Sequence, residues 1–156
     1  MRKTRIQRLD GKKVDVVLHL GNVFVCSHGL CCGKAERGYG PDLRELHQME
    51  WHRRKLGKTV YLTQSGCLGL CALGNTVLLI FQGHPLWFHS FNTVEQVSAL
   101  YDYIEAMVIA KQCLPVPDTL RDSVLEKGLE KGALRDMTSL VAPLEEPSGS
   151  KICACE

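Results

Sequence analysis

Two groups of cysteines constrain this chain more than any other feature. Cys26, Cys31 and Cys32 lie in Val-Cys-Ser-His-Gly-Leu-Cys-Cys-Gly, directly after the apolar run Val23-Phe24-Val25. Cys67 and Cys71 lie in Ser-Gly-Cys-Leu-Gly-Leu-Cys-Ala-Leu-Gly, shortly after Val60-Tyr61-Leu62-Thr63. Each group therefore occupies a Gly-rich loop at the end of a predicted strand, where a scaffold fixes side chains and leaves backbone free to wrap a ligand. The loop residues Gly29, Gly33, Gly66, Gly69 and Gly74 carry no Cβ, so backbone N–H groups can approach something bulky and anionic.

The chain holds 8 cysteines in 156 residues. An even count in a secreted chain would read as a disulfide framework. Here Met1 to Lys13 is basic with no apolar stretch behind it of the kind a secretory signal carries. A cytoplasmic location is the default expectation, and in a reducing compartment retained cysteines point to metal ligation or catalysis. Cys113, just past an apolar helical pattern, reads instead as a small buried apolar residue. Cys26-x4-Cys31 and Cys67-x3-Cys71 come close to the two short knuckles of a four-thiolate zinc site. Wider gaps suit a cluster of two irons and two sulfides. Spacing alone leaves both open. A thioredoxin-type redox pair would need Cys-x-x-Cys, which is absent, and adjacent Cys31 and Cys32 cannot bridge each other without backbone strain.

The pattern Cys26-x4-Cys31-x35-Cys67-x3-Cys71 resembles the thioredoxin-like 2Fe–2S ferredoxins and the related cluster subunit of respiratory complex I. Val23-Phe24-Val25-Cys26 and Gly66-Cys67-Leu68-Gly69-Leu70-Cys71 look like that family's two cluster loops. Val77-Leu78-Leu79-Ile80-Phe81, Gly83 and Leu86-Trp87-Phe88 continue the likeness, which spans residues 22 to 110. The resemblance implies a 2Fe–2S cluster on Cys26, Cys31, Cys67 and Cys71, with Cys32 as the chemical alternative to Cys31. It also implies one-electron transfer to or from a protein partner, and a homodimer paired through its sheets. Gly74-Asn75 stands where the complex I subunit has Gly-Pro, and the acidic–aromatic signature upstream of Cys67 is missing, which favours a stand-alone ferredoxin-like protein. Cys31-Cys32-Gly33 with Arg37-Gly38-Tyr39-Gly40 looks like members associated with cobalamin biosynthesis.

The element pattern can be read without the resemblance. A strand is expected at about 22–26. A helix follows from Pro41 in its first turn to about Leu56, with Leu43, Leu46, Met49 and Leu56 as its apolar stripe and Gly57 ending it. Arg44, His52, Arg53, Arg54 and Lys55 are expected on its outer face. Strands at about 59–64, 76–82 and 86–90 come next, the last two joined by a turn through Gln82-Gly83-His84-Pro85. Val94, Val97, Tyr101, Ile104 and Val108 then share one helical face, capped by a box of Asn92 and Glu95. A helix between the first two strands makes them parallel neighbours, and the hairpin adds an antiparallel edge. The expected fold is an α/β sandwich of thioredoxin-like character: a mixed four-stranded sheet, two main helices and a C-terminal helical extension. The expected organisation is an N-terminal extension over 1–21, the cluster domain over 22–112, and a linker, polar helix (Asp118 to Arg135) and flexible tail over 113–156. That tail ends in Cys153-Ala154-Cys155-Glu156.

Charge is split along the chain: residues 1–58 carry 13 Lys or Arg against 6 Asp or Glu, and residues 59–156 carry 6 against 11. The basic half is expected to steer an acidic redox partner, with Arg53, Arg54 and Lys55 as candidate docking charges. Aromatic residues do not interleave with the basic ones and no nucleic-acid motif is present, so no nucleic-acid partner is expected. No apolar run approaches the roughly 18 residues that span a bilayer, so no membrane partner is expected. No nucleotide fingerprint, nucleophile–base pair or paired carboxylates stand out, so the chain is read as a carrier and not an enzyme. His28, between Cys26 and Cys31, is a solvent-facing loop residue on this reading, and Trp87 and Phe88 are strand and core residues. Two other functions remain open: a zinc-stapled interaction module, and a metal- or cluster-handling protein serving a biosynthetic enzyme, in which Cys153 and Cys155 would take part.

Overall fold

The computed structural model describes residues 2–27, 29 and 31–125. Two strands come first, β1 (Arg2–Gln7) and β2 (Lys13–Leu18), which pair antiparallel with each other and with no other strand among the described residues. A second sheet holds β3 (Gly21–Cys26), β4 (Val60–Ser65), β5 (Val77–Phe81) and β6 (His84–Phe88) in the order β4-β3-β5-β6. β3 runs parallel to β4, from Gly21 opposite Val60 to Cys26 opposite Ser65. β5 lies antiparallel on the other side of β3, and β6 returns antiparallel to β5. This is the expected mixed four-stranded sheet. The turn into β6 is tighter than expected, since Gln82 and Gly83 alone supply it with φ of 49° and 85°, as a type I′ turn requires.

Alternation along the strands decides what the sheet covers. Val23, Val25, Val60, Val77, Leu79, Phe81 and Phe88 point to one face and are buried there. Against them lies α2 (Val94–Ala110), which contributes Val97, Leu100, Tyr101, Ile104 and Met107 to the same core. Val94, expected on that face, is largely exposed. The opposite face carries Phe24, Tyr61, Leu78, Ile80 and Trp87, none of which belongs to the core cluster.

The capping box of α2 sits one residue later than expected. Thr93 Oγ1 accepts from the Gln96 N–H at 3.2 Å, and Gln96 Oε1 accepts from the Thr93 and Asn92 N–H groups at 3.1 and 2.9 Å. Asn92 precedes the cap, and its Oδ1 instead accepts from Asn75 Nδ2 at 3.1 Å.

The first helix, α1 (Arg44–Arg53), begins after Pro41 and ends short of Leu56, which opens a 3₁₀ turn over Leu56–Lys58. Its inner stripe differs from the expected one. Leu43, Leu46, His47, Glu50, Trp51 and Arg54 follow a helical spacing inward, whereas Met49 is 57% exposed. Half of that stripe is polar, so hydropathy alone misplaces it. Arg54, expected on the outer face, has a side chain only 4% exposed. It pairs with Glu50 in its own helix and with Asp102 and Glu105 of α2.

Past α2 the chain forms one short turn of helix, α3 (Asp118–Arg121). The helix expected to continue from there stops at once. The Ser123 carbonyl accepts from the His89 N–H at 2.8 Å, and the Leu125 N–H donates to the Trp87 carbonyl at 2.9 Å, so the backbone runs alongside β6 with Val124 bridged to Phe88. The remainder of that expected helix, and the tail with Cys153 and Cys155, lie outside the described residues.

Candidate metal centre

Parallel β3 and β4 are adjacent, so the chain leaves both C-terminal ends at the same edge of the sheet. Cys26 closes β3, and Cys67 stands two residues past the end of β4. The exits are laced together: Ser27 donates from its N–H and its Oγ to the Ser65 carbonyl at 3.0 and 2.6 Å. Ser65 Oγ donates back to the Val25 carbonyl at 3.3 Å. Gly29 sits where the two loops touch. A Cβ there would lie 3.8 Å from Cys26 Sγ and 3.5 Å from Cys67 Cβ.

Four thiols form a continuous series of neighbours. Cys31, fully buried, is hydrogen-bonded to Cys26 on one side and Cys71 on the other. Cys71 Sγ lies 2.9 Å from Cys67 Sγ. Cys26 is buried, Cys71 half-buried and Cys67 exposed, so the series runs from the interior to the surface. Among the described residues no three His, Cys, Asp or Glu side chains are set around one point as a single metal ion requires.

Burial is the main cause that pushes the Cys26 and Cys31 thiols up from their ordinary range, while the neighbouring sulfurs act in both directions: Cys31 lowers Cys26, and Cys71 lowers Cys31 where Cys26 raises it. The Leu68 backbone N–H opposes that rise at Cys26. Cys67 and Cys71 are pushed apart by their shared hydrogen bond, Cys67 downward and Cys71 up to about 11. Cys67 is further lowered by the Gly69 N–H, which donates to its Sγ at 3.3 Å. Gly69 has φ +90°, a backbone conformation that favours glycine.

Cys32 turns elsewhere. Its thiol approaches Asp42 Oδ1 at 4.0 Å, and that carboxylate is also held by Arg44 Nε at 2.9 Å. Burial and the Asp42 charge push the Cys32 thiol up. Cys113 packs half-buried against the core. His28 lies outside the described residues.

A clasp on the same loops has no motif to announce it. Asn75 Nδ2 donates to the Pro41 carbonyl at 2.8 Å and to Asn92 Oδ1 at 3.1 Å, while Asn75 Oδ1 has no partner among the described residues. It ties the end of the second cysteine loop to the segment after the first loop and to the start of α2. Gly40 makes room for it, since a Cβ there would stand 1.8 Å from Asn92 Oδ1. The only hint in the sequence is Asn75 itself, in the place where the complex I subunit has proline.

No family model matches this chain, and no curated protein matches it. Among solved structures it is similar to a thioredoxin-like 2Fe–2S ferredoxin from Aquifex aeolicus. One structure of that protein is 24% identical with a TM-score of 0.47, over 74% of this chain and 98% of that one. Another, of the wild type at 1.5 Å resolution, is 21% identical with a TM-score of 0.45, over 70% of this chain and all of that one.

Proposed function

We propose that this chain is a one-electron carrier that holds a 2Fe–2S cluster on Cys26, Cys31, Cys67 and Cys71 and exchanges electrons with a protein partner. The observation that supports it is the unbroken series of four thiols drawn from two loops at one sheet edge. The donor set fits the group. All four ligands are sulfur, as such clusters take, and backbone N–H groups of Leu68 and Gly69 are aimed at two of the sulfurs. Bound there, the cluster supplies a single-electron couple, with a net charge of about −2 when oxidised and −3 when reduced on four thiolates.

The chain's own residues set the conditions for that couple. Thiols crowded together resist ionising as neighbouring anions, and a cationic centre removes that resistance as their protons leave. The Leu68 and Gly69 N–H groups favour the more negative state and raise the potential. Cys31 and Cys26 stand on the buried side and Cys67 on the exposed side, so the Cys67 loop is where a partner approaches most closely. Lys34 and Arg37, both exposed, follow the first loop and suit an acidic partner. No helix among the described residues is long and apolar enough to cross a membrane. Asn75, built into the clasp, supports a stand-alone ferredoxin-like protein over the respiratory subunit.

Anaerobic purification followed by visible absorption, iron and sulfide analysis, and electron paramagnetic resonance after reduction tests the reading. The expected result is a red-brown protein with two irons and two sulfides per chain. A colourless protein with about one zinc per chain would replace the carrier by a zinc staple.

A further inference from the structure

The thiols of the two loops do not stand alike before an oxidant. Cys31 is 1% and Cys26 8% exposed, and the Cys26 N–H donates to the Thr76 carbonyl at 3.1 Å, so the first-loop pair is shielded and fixed to the sheet. Cys32, the more accessible thiol of that loop, faces Asp42 and adjoins Cys31, with which it cannot bridge without backbone strain. Cys67 is exposed. The sulfur to which it is hydrogen-bonded is Cys71, and the two Sγ atoms lie 2.9 Å apart.

A disulfide holds its sulfurs about 2.05 Å apart, so this pair has to close by a little under 1 Å. The segment between the two, Leu68-Gly69-Leu70, belongs to no strand or helix. Its freedom sits at Gly69, where φ is +90° and a Cβ would meet nothing within 4 Å. The loop borders open space at that point, and a shift of this size pushes against no packed neighbour there.

We infer that the second loop is a reversible oxidation site: in the metal-free chain a peroxide joins Cys67 to Cys71 in a disulfide, and a dithiol reopens it. The peroxide meets Cys67 first and oxidises its thiol to a sulfenic acid, its O–O bond breaking and the remainder leaving as an alcohol, or as water from hydrogen peroxide. The Cys71 sulfur then attacks Cys67 Sγ, the S–S bond forms, and the hydroxyl leaves with the Cys71 proton as water. The sulfur pair has lost two electrons and the O–O bond has gained them. A dithiol returns both electrons and both protons by exchange through a mixed disulfide. On the proposed function, the bridge removes two of the four cluster ligands at once, so an oxidised chain cannot be loaded until it is reduced.

Tryptic mapping reads the bridge directly, because the peptide between Lys58 and Lys111 contains Cys67 and Cys71 and no other cysteine, while Cys26, Cys31 and Cys32 share the peptide that ends at Lys34. The full chain, carrying Cys153→Ser and Cys155→Ser so that the tail consumes no oxidant, is stripped of metal, checked for its fold by circular dichroism and treated with one equivalent of hydrogen peroxide. Free thiols are then blocked with iodoacetamide and the digest is weighed by mass spectrometry. The Cys67–Cys71 peptide is expected to emerge unblocked and two hydrogens lighter than its reduced form, and dithiothreitol added before blocking restores both thiols. In a further Cys71→Ser chain, dimedone is expected to tag Cys67, whose sulfenic acid now lacks its resolving sulfur. A Cys67–Cys71 peptide that is fully blocked while thiols are lost elsewhere, a bridge that links it to the first-loop peptide, or a dimedone tag on Cys31 or Cys32 overturns the inference. The bridge is read without any metal. A chain that bridges but never takes up a cluster therefore refutes the carrier reading alone, and one that takes up a cluster but does not bridge refutes this inference alone.

Discussion

His47 offers a quantitative test of how α1 and α2 are joined. Its ring is buried between the helices, with Nδ1 3.3 Å from the Tyr101 hydroxyl and the two rings edge to face at 5.7 Å. Burial pushes its pKa down to about 4, against an ordinary value of about 6.5. The nearest titratable neighbour on the facing helix is Tyr101, itself pushed well above its ordinary range by burial and therefore neutral. As pH falls below about 6.5 the unfolded chain takes up a proton that the folded chain refuses until about 4, so stability drops across that window and is flat above it. Between pH 7 and pH 5 the loss assigned to this one ring is about 2 kcal/mol. Urea unfolding of the wild type and His47→Gln, prepared in the same loading state, measures it at both pH values. Gln keeps a polar partner for Tyr101 but cannot titrate, so the wild type is expected to lose about 2 kcal/mol more than the variant on going to pH 5. Equal losses in the two proteins would show that His47 is not held as a neutral buried imidazole.

Other outcomes follow from the same geometry. Cys67→Ala, Cys71→Ala and Cys31→Ala are expected to abolish the visible absorption of the anaerobically purified protein, while Cys113→Ala and Cys32→Ala keep it. Colour retained in Cys31→Ala and lost in Cys32→Ala would exchange those two roles. Arg54→Met leaves Glu50 buried without its inner partner and is expected to cost about 3 kcal/mol in urea unfolding. The Arg54→Met, Glu50→Met double variant recovers most of that, and a double variant no better than the single one refutes the buried pair. Gly40→Ala drives a Cβ into Asn92 and is expected to cost about 1–3 kcal/mol. If its unfolding midpoint matches the wild type, the clasp does not bear on the fold.

Much of the sheet was legible because its strands are β-branched, short and bounded by glycine, and because a helix between β3 and β4 forces them parallel. The inner side of α1 was not. Its stripe includes His47, Glu50 and Arg54, whose burial depends on Tyr101, Asp102 and Glu105 more than forty residues away, and no local window contains those partners. The cap of α2 falls on Thr93, and Asn92 meets Asn75, seventeen residues back, a contact no local window contains. The short α3 ends because Ser123 and Leu125 find backbone partners on β6, which is tertiary pairing overriding helical periodicity. Both cysteine loops could be placed at strand ends from the sequence. The directions in which Cys31 and Cys32 turn could not, since Cys32 lies by Asp42, ten residues on, and Cys31 lies with Cys26 and with Cys71, forty residues on, and no local pattern separates two adjacent cysteines.

For the electron carrier proposed above, the Asn75 clasp has a kinetic consequence. Because one side chain joins the end of the second loop to Pro41 and Asn92, neither sulfur-bearing loop can shift without dragging the other and the start of the long helix. A frame braced in this way relaxes little when charge arrives or departs, and a small reorganisation energy is what lets an electron hop quickly in both directions.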